Sequence, residues 1–598
     1  MKKSTIYFWI FGVVALLVVL LLVWIVVGPS GPIIVSKQTT FLTEPLRSDG
    51  LVDYPQAILN MQGKNVSPEE NAAIPFLQAT WPCELSPEHQ PLVCDELQMP
   101  MPPVDGMKSL YNEQLRSLVG EQLGKMAPQT GTAPPQPLAQ PEVHEIISAA
   151  HNTPWTRDQL PAVADWLDEQ QPHFAKLHEM NDRPKFYLPS PSLLDHKNDY
   201  LFASLLPTVQ HQRDAARSLS VRAMLAIGEN RPYDAWEDIK TSFRLSNCYS
   251  QPGFLIELLV CNAIRGMAIQ QLMVLLSSEE CDAALLDEIE KYLAGLQPYD
   301  EMAPSIDTME RIAGLDAAIA FSTHKVDAQE MLGGGNDAAV GTLTYAPFDR
   351  NAMLARLNVW YDRIAATAEI DDLEERQKAM EQLEIDLQAE TQGAVTAGNI
   401  AGAIFNQTAR GELIAQVLAG LLLPAVTQAV WAEERLNLQM QMTRVAVALE
   451  KYKLEKGDYP DTLAPLENRI DPALLKDPYS PAQLRYQKRP PGFLVYSVSR
   501  DRIDNGGNSH DGEIVAGEWI TGSPVSDWKK GDFVIRIPMP KKSLADFFPL
   551  NQPADADGDA TAPVEEEPLS EEDATTLKEA STPEAPVESA EETATPDE

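Results

Sequence analysis

The chain has 598 residues, with 87 Asp and Glu against 47 Lys and Arg, a formal charge of −40 at pH 7, and 44% hydrophobic residues. That length calls for several folded regions with substantial cores rather than one ordinary domain. Residues 552–598 hold 16 acids and the single base Lys578, leaving 71 acids against 46 bases, or −25, on the rest. Phosphate binding needs clustered Lys and Arg, so this balance argues against a nucleic-acid partner.

In chain order, Met1-Lys2-Lys3 precedes Ile6 to Val27, which is 22 uncharged positions. As a helix this run is about 33 Å long, matching a hydrocarbon core of about 30 Å. The positive residues predict a cytoplasmic stub at 1–5 and a single transmembrane anchor at 6–28 in the inner membrane. The bulk of the chain is then periplasmic or otherwise extracytoplasmic. The stretch VVGPSGPIIVSKQ offers no A-x-A site, which favours an anchor over a cleaved signal peptide.

Residues 37–125 read as a membrane-proximal helical region with proline breaks. Ser67-Pro68-Glu69-Glu70 predicts a helix start, with Ser as cap and Glu three residues on. Cys83 and Cys94 lie eleven apart in WPCELSPEHQPLVC; in an oxidising compartment they are a candidate disulfide, with two free thiols as the alternative. Cys248, Cys261 and Cys281 lie in helical text and read as packed apolar residues. Residues 126–141 hold five prolines and no charge, a semi-stiff linker.

Residues 142–410 predict a helical body. A long helix over 199–227, a turn at GENR and a second helix from Pro232 suggest an antiparallel bundle. The stretch GFLIELLVCNAIRGMA at 253–268 is similar to a prepilin N-terminus. It follows some 250 residues, however, and carries Arg265 inside the apolar run, where a charge in lipid is costly. It therefore reads as a core helix over 254–276. A glycine-rich GGGN at 333–336 and a charged, solvated helix near 370–390 follow. The apolar run 413–431 is interrupted by Gln416, Pro424, Thr427 and Gln428, which predicts burial rather than a second span.

From 411 to 545 the text predicts a small α+β module. Leu438, Met442, Val445, Leu449 and Tyr452 share one helical face, Gly457 stops the helix, and QLRYQK and GFLVYSVS alternate about a Pro-Pro-Gly turn, as a β-hairpin does. Three ordered motifs occur here: Tyr452, Lys453, Gly457, Tyr459 and Pro460; then Asp477, Pro478 and Tyr486; then a strand and loop over Val495 to Gly507. On these the region 430–540 resembles the soluble domain of the major pseudopilins of type II secretion. It departs from them in carrying Arg500-Asp501-Arg502 where that family has small residues and glycine. The whole chain is similar in layout to membrane-anchored envelope proteins that set such a module on a helical body.

The resemblance implies calcium binding in the loop after the hairpin. The candidate ligands are Asp501, Asp504, Asn505, Asn508, Asp511 and Glu513, with a plain glycine-rich turn as the alternative. Residues 551–598 repeat Pro, Ala, Thr and Glu without an aromatic residue and read as a disordered acidic tail. His144 and His151 of HEIISAAH are seven positions apart, about 10 Å along a helix and too far to share one zinc. No G-x-S-x-G, P-loop or dinucleotide fingerprint occurs. The expected fold is mainly α: anchor, extracytoplasmic bundle, α+β module and tail. The expected role is a scaffold or protein-interaction protein, linked to a secretion or pilus-like system and without catalytic residues. An envelope enzyme with a site in 142–400 is the alternative.

Overall fold

The structure is a computed structural model. It describes residues 30–126, 140–195, 208–278, 280–296, 302–323, 346–394, 406–507 and 531–539, with 201, 396, 402–403 and 544. The apolar segment 6–28, most of the linker, the GGGN stretch and the tail lie outside the described residues. The chain divides into two units, Met1–Leu550 and Asn551–Glu598, and every described residue belongs to the first.

These residues are mainly helical, with one three-stranded antiparallel sheet. The first helices are α1 (Tyr54–Gln62), α2 (Ala73–Thr80), α3 (His89–Glu96), α4 (Glu113–Met126), α5 (Gln140–Ala149), α6 (Pro161–Glu169), α7 (Gln171–His178) and the single turn α8 (Pro191–Leu194). The predicted start at Ser67 is displaced: α2 begins at Ala73. The intervening backbone is drawn into pairing with Lys185 instead, Lys185 N donating to Glu70 O and Ala72 N donating to Lys185 O. Cys83 and Cys94 are both buried and both free thiols, with Cys83 Sγ 2.7 Å from Thr80 Oγ1.

The bundle continues through α9 (Thr208–Gly228), α10 (Pro232–Leu245), α11 (Leu255–Leu276) and α12 (Ala283–Gly295). Proline at the first position of α10 lacks only an N–H that would be orphaned there anyway. The helix then buries Trp236, Ile239 and Phe243 on one face. The prepilin-like stretch forms α11, which is buried along most of its length and packs on α9, α10 and a later helix, α17. Arg265 is tolerated there because it is hydrogen-bonded, donating to Ser246 Oγ and Asn247 Oδ1. At the start of α11 two carboxylates take the first free amides: Phe254 N donates to Glu257 Oε2 and Leu255 N to Glu310 Oε1, each at 2.8 Å.

Short helical turns at Met302–Ser305 and Ile306–Glu310 lead into α13 (Arg311–Ser322), and the longer helices α14 (Arg350–Ala368), α15 (Leu373–Ala394), α16 (Gln407–Leu422) and α17 (Pro424–Lys456) follow. The apolar run 413–431 is split between α16 and α17 at Pro424, and Ile414, Leu418, Val426 and Val430 are buried in the core. Helix α17 packs on α11 and α12 of the body and on the sheet. It ends at Gly457, whose φ of 84° is the left-handed conformation that glycine adopts freely.

The expected hairpin is present as β1 (Arg485–Arg489) and β2 (Gly492–Ser497), with Tyr486 opposite Val495. A third strand not anticipated from the sequence, β3 (Phe533–Ile537), pairs with β2 and makes it central. Gly492 permits this closure, since a Cβ there would sit 1.6 Å from Ile537 O. One continuous apolar core runs from Val52 to Leu544 and includes buried residues of the region before the linker, the body and the module alike.

Candidate functional site

The module is organised around Asp477. Its side chain is fully shielded, with Oδ1 accepting from Tyr479 N (3.0 Å) and Ser497 Oγ (2.7 Å), and Oδ2 accepting from Arg485 Nη1 (2.8 Å) and Val498 N (3.1 Å). One carboxylate thus ties the segment before the hairpin to both of its strands. The Tyr486 hydroxyl donates to Pro460 O at 2.7 Å. Tyr459 donates to Glu450 on α17 and packs edge-on against Phe493, with ring centroids 5.1 Å apart. The three sequence motifs are therefore three parts of one contact between helix and sheet.

Arg485 continues this network into the loop, its Nε lying 3.5 Å from Asp504 Oδ2. Asp504 Oδ1 accepts from Gly506 N (2.9 Å) and from the Tyr496 hydroxyl (3.1 Å). Asp501 accepts from Ile503 N and Gly531 N, each at 2.9 Å. Asn505 N and Gly507 N both donate to Asp532 Oδ2, at 3.0 and 2.7 Å. Asp532 was not anticipated from the sequence. It is 2% exposed, and its Oδ1 has no hydrogen-bond partner among the described residues. Burial pushes its carboxyl up, and Asp504 and Asp501 push the same way.

Asp501 and Asn505 thus meet Gly531 and Asp532, and Asp504 bonds within the same turn and to Tyr496, whereas Asn508, Asp511 and Glu513 lie outside the described residues. Among the described residues no group of three or more His, Cys, Asp or Glu is arranged to hold a metal. The charges of Asp504 and Asp501 both act on the buried Asp532 carboxyl.

The arginines flanking Asp501 turn back toward the body. Arg500 is 6% exposed, lies 3.4 Å over the Trp431 ring of α17 and reaches Glu381 of α15 at 3.9 Å. Arg502 pairs with Glu374 at the start of α15. Beside them Glu434 of α17 faces Arg376 of α15 (3.2 Å) and the Tyr479 hydroxyl (3.5 Å). Burial nevertheless pushes its carboxyl up to about 7. Arg500 and Arg502 thus strap the loop that follows the hairpin to the helical body.

Elsewhere the body's histidines sit in paired clusters. Tyr111 lies between His144 and His151, at centroid distances of 4.7 and 5.9 Å, and its hydroxyl is 3.3 Å from His151 Nε2. Burial pushes His151 down to about 3, with Arg217 and His144 adding to the shift, so it stays neutral. His178 Nε2 is 3.0 Å from Asp238 Oδ1, whose carboxylate also accepts from Arg222. Ser86 Oγ is 3.0 Å from His89 Nδ1, and His89 Nε2 is 3.3 Å from Asp195 Oδ2. The Ser86 carbonyl also accepts from His89 N and Gln90 N, in the turn that leads into α3.

Compared with family models, with curated proteins and with solved structures, the chain matches none.

Proposed function

We propose that this chain is a membrane-anchored extracytoplasmic scaffold that works by binding a protein partner, with the hairpin and its loop as the contact surface. The anchor is the apolar segment Ile6 to Val27, with the amino end inside. The observation that carries the reading is the double strapping of the sheet. Asp477 locks the strands to one another, and Arg500 and Arg502 lock the following loop to α15, so the surface is presented pre-organised, which lowers the ordering cost of association. On that surface Ile503 is 60% exposed, an apolar side chain held at a loop tip. The three pseudopilin-like motifs make a component of a secretion or pilus-like system the kind of partner to seek.

The test is a photo-crosslinking residue placed at Ile503 or at Arg489 in the full chain, with Tyr233 on the body as control. Envelope proteins crosslinked from the first two positions and not from the third are the expected result. Equal crosslinking from all three would remove the hairpin and loop as the contact surface.

The same reading takes calcium at the loop, held by Asp532 and by Asp501 and Asp504, which would relieve the repulsion among the three carboxylates. Calcium should raise the melting temperature of the full chain relative to chelator, by linkage, and Asp532→Asn should abolish the rise. A rise that survives in Asp532→Asn would place the ion elsewhere. An unchanged melting point in the parent chain would remove calcium from the proposal.

A second reading, an envelope hydrolase, is favoured by one observation: the Ser86, His89, Asp195 chain has the order of a nucleophile, a base and its orienting carboxylate. It lies partly outside 142–400, the region the sequence singled out for an enzyme. Covalent labelling of Ser86 by a fluorophosphonate would favour that reading; an unlabelled Ser86 would leave it without support.

A further inference from the structure

A cleft of about 430 Å³ opens where α12, α17 and the 469–474 turn meet. Its apolar part is made by Leu293 and Val447, both buried, with Ile470 and Leu474 half-buried beside them. Most of the charges around it are already engaged. Lys451 holds both Asp287 (2.7 Å) and Glu290. Arg469 donates to Glu455 at 2.7 Å and lies 5.2 Å over the Tyr452 ring. Asp471 accepts from Ala473 N at 2.9 Å, capping the turn that follows. Arg444 differs from these: it is half-buried on the α17 wall, and its guanidinium makes no hydrogen bond or ion pair among the described residues. The same is true of Lys291 on the α12 wall.

We propose that this cleft binds a small amphipathic carboxylate, its apolar group against Leu293, Val447 and Leu474 and its carboxylate on the Arg444 fork, with Lys291 as the second cation. The volume lies within the range of about 300–1,000 Å³ that small-ligand sites occupy. A guanidinium left with five donors and no acceptor matches a planar carboxylate in two parallel bonds. A monoanion is preferred over a phosphate dianion because Asp287, Glu290 and Asp471 line the same cleft and would repel the second charge. The site is separate from the hairpin and loop, so its fate and that of the contact surface are decided independently.

The test titrates the full chain in detergent with N-acetyl-leucine, read by ligand-observed NMR, against N-acetyl-leucinamide and acetate. The acid should bind, and the neutral amide and the tail-less acetate should each bind at least about tenfold more weakly, one for want of the charge and the other for want of the apolar group. Arg444→Gln should weaken the acid by about tenfold and leave the amide unchanged. Equal binding of acid and amide, undiminished binding in Arg444→Gln, or no binding of the acid to the parent chain would overturn the proposal. If Arg444→Gln failed to fold, Lys291→Gln on the exposed wall supplies the same comparison, with loss of acid binding expected and its retention counting against the site.

Discussion

Asp477→Ala should destabilise the protein by about 3–5 kcal/mol, the cost of deleting one partner of a buried charged network. The substitution takes the Asp477 acceptor from the Ser497 hydroxyl and from the Tyr479 and Val498 amides, and removes the shielded carboxylate from Arg485, which keeps Gln483 O, Ser480 Oγ and Asp504. Desolvated donors without partners are what make such deletions expensive. Asp477→Asn should fall between, since its remaining oxygen can still accept from one pair of donors. Urea unfolding of the full chain gives the comparison directly. A loss below about 1 kcal/mol, the scale of an exposed ion pair, would mean that Asp477 does not organise the sheet.

The second large effect is a dependence on pH carried by Glu434. Its folded carboxyl titrates near 7, against an ordinary value of 4.5, chiefly because it is buried; Arg376 and Arg500 pull the other way and are outweighed. A group whose folded pKa is raised holds its proton longer in the folded state. Its contribution is therefore complete below about pH 4.5 and is lost as pH rises through 7. The difference corresponds to about 3 kcal/mol between pH 5 and pH 8. Glu257, at the start of α11, is pushed to about 7 by burial as well and adds to the fall in the same direction. In Glu434→Gln the parts carried by Glu257 and by the other carboxyls that burial raises, Glu310 and Asp532, should remain, so stability should decline less steeply over that range. Parallel stability profiles for the parent and Glu434→Gln would show that Glu434 is not the titrating group.

The helical body was legible because its signals are local. Arg265 inside an apolar run, Pro232 opening a helix and Gly457 closing one each act within a turn or two of themselves. The motifs of the module were legible as well, down to Tyr486 and Asp477, although only the fold shows that they meet at one surface. What could not be read were the pairings between distant segments. Arg502 meets Glu374 across 128 positions, and nothing near either residue marks it as half of a pair. Asp532 lies 25 positions beyond Gly507 and stands out only when Asn505 and Gly507 close upon it. Strand β3 was missed for the same reason, having no tight turn to announce its pairing with β2. Ser67-Pro68-Glu69-Glu70 misled because a good local start signal lost to backbone pairing with Lys185, a competitor more than a hundred residues away. Arg444 reads in the sequence as one more helix charge, and only the surrounding surfaces show that it has been left unengaged.

Helix α17 has 33 residues, about 50 Å at 1.5 Å per residue, and along that length it packs against both the body helices and the sheet. It is therefore a shaft shared by two halves rather than a tether between them, and the joint where one would look for a hinge is continuous helix. A push on the hairpin cannot be absorbed by a swinging module; it is delivered as displacement to the packing around α11 and α12.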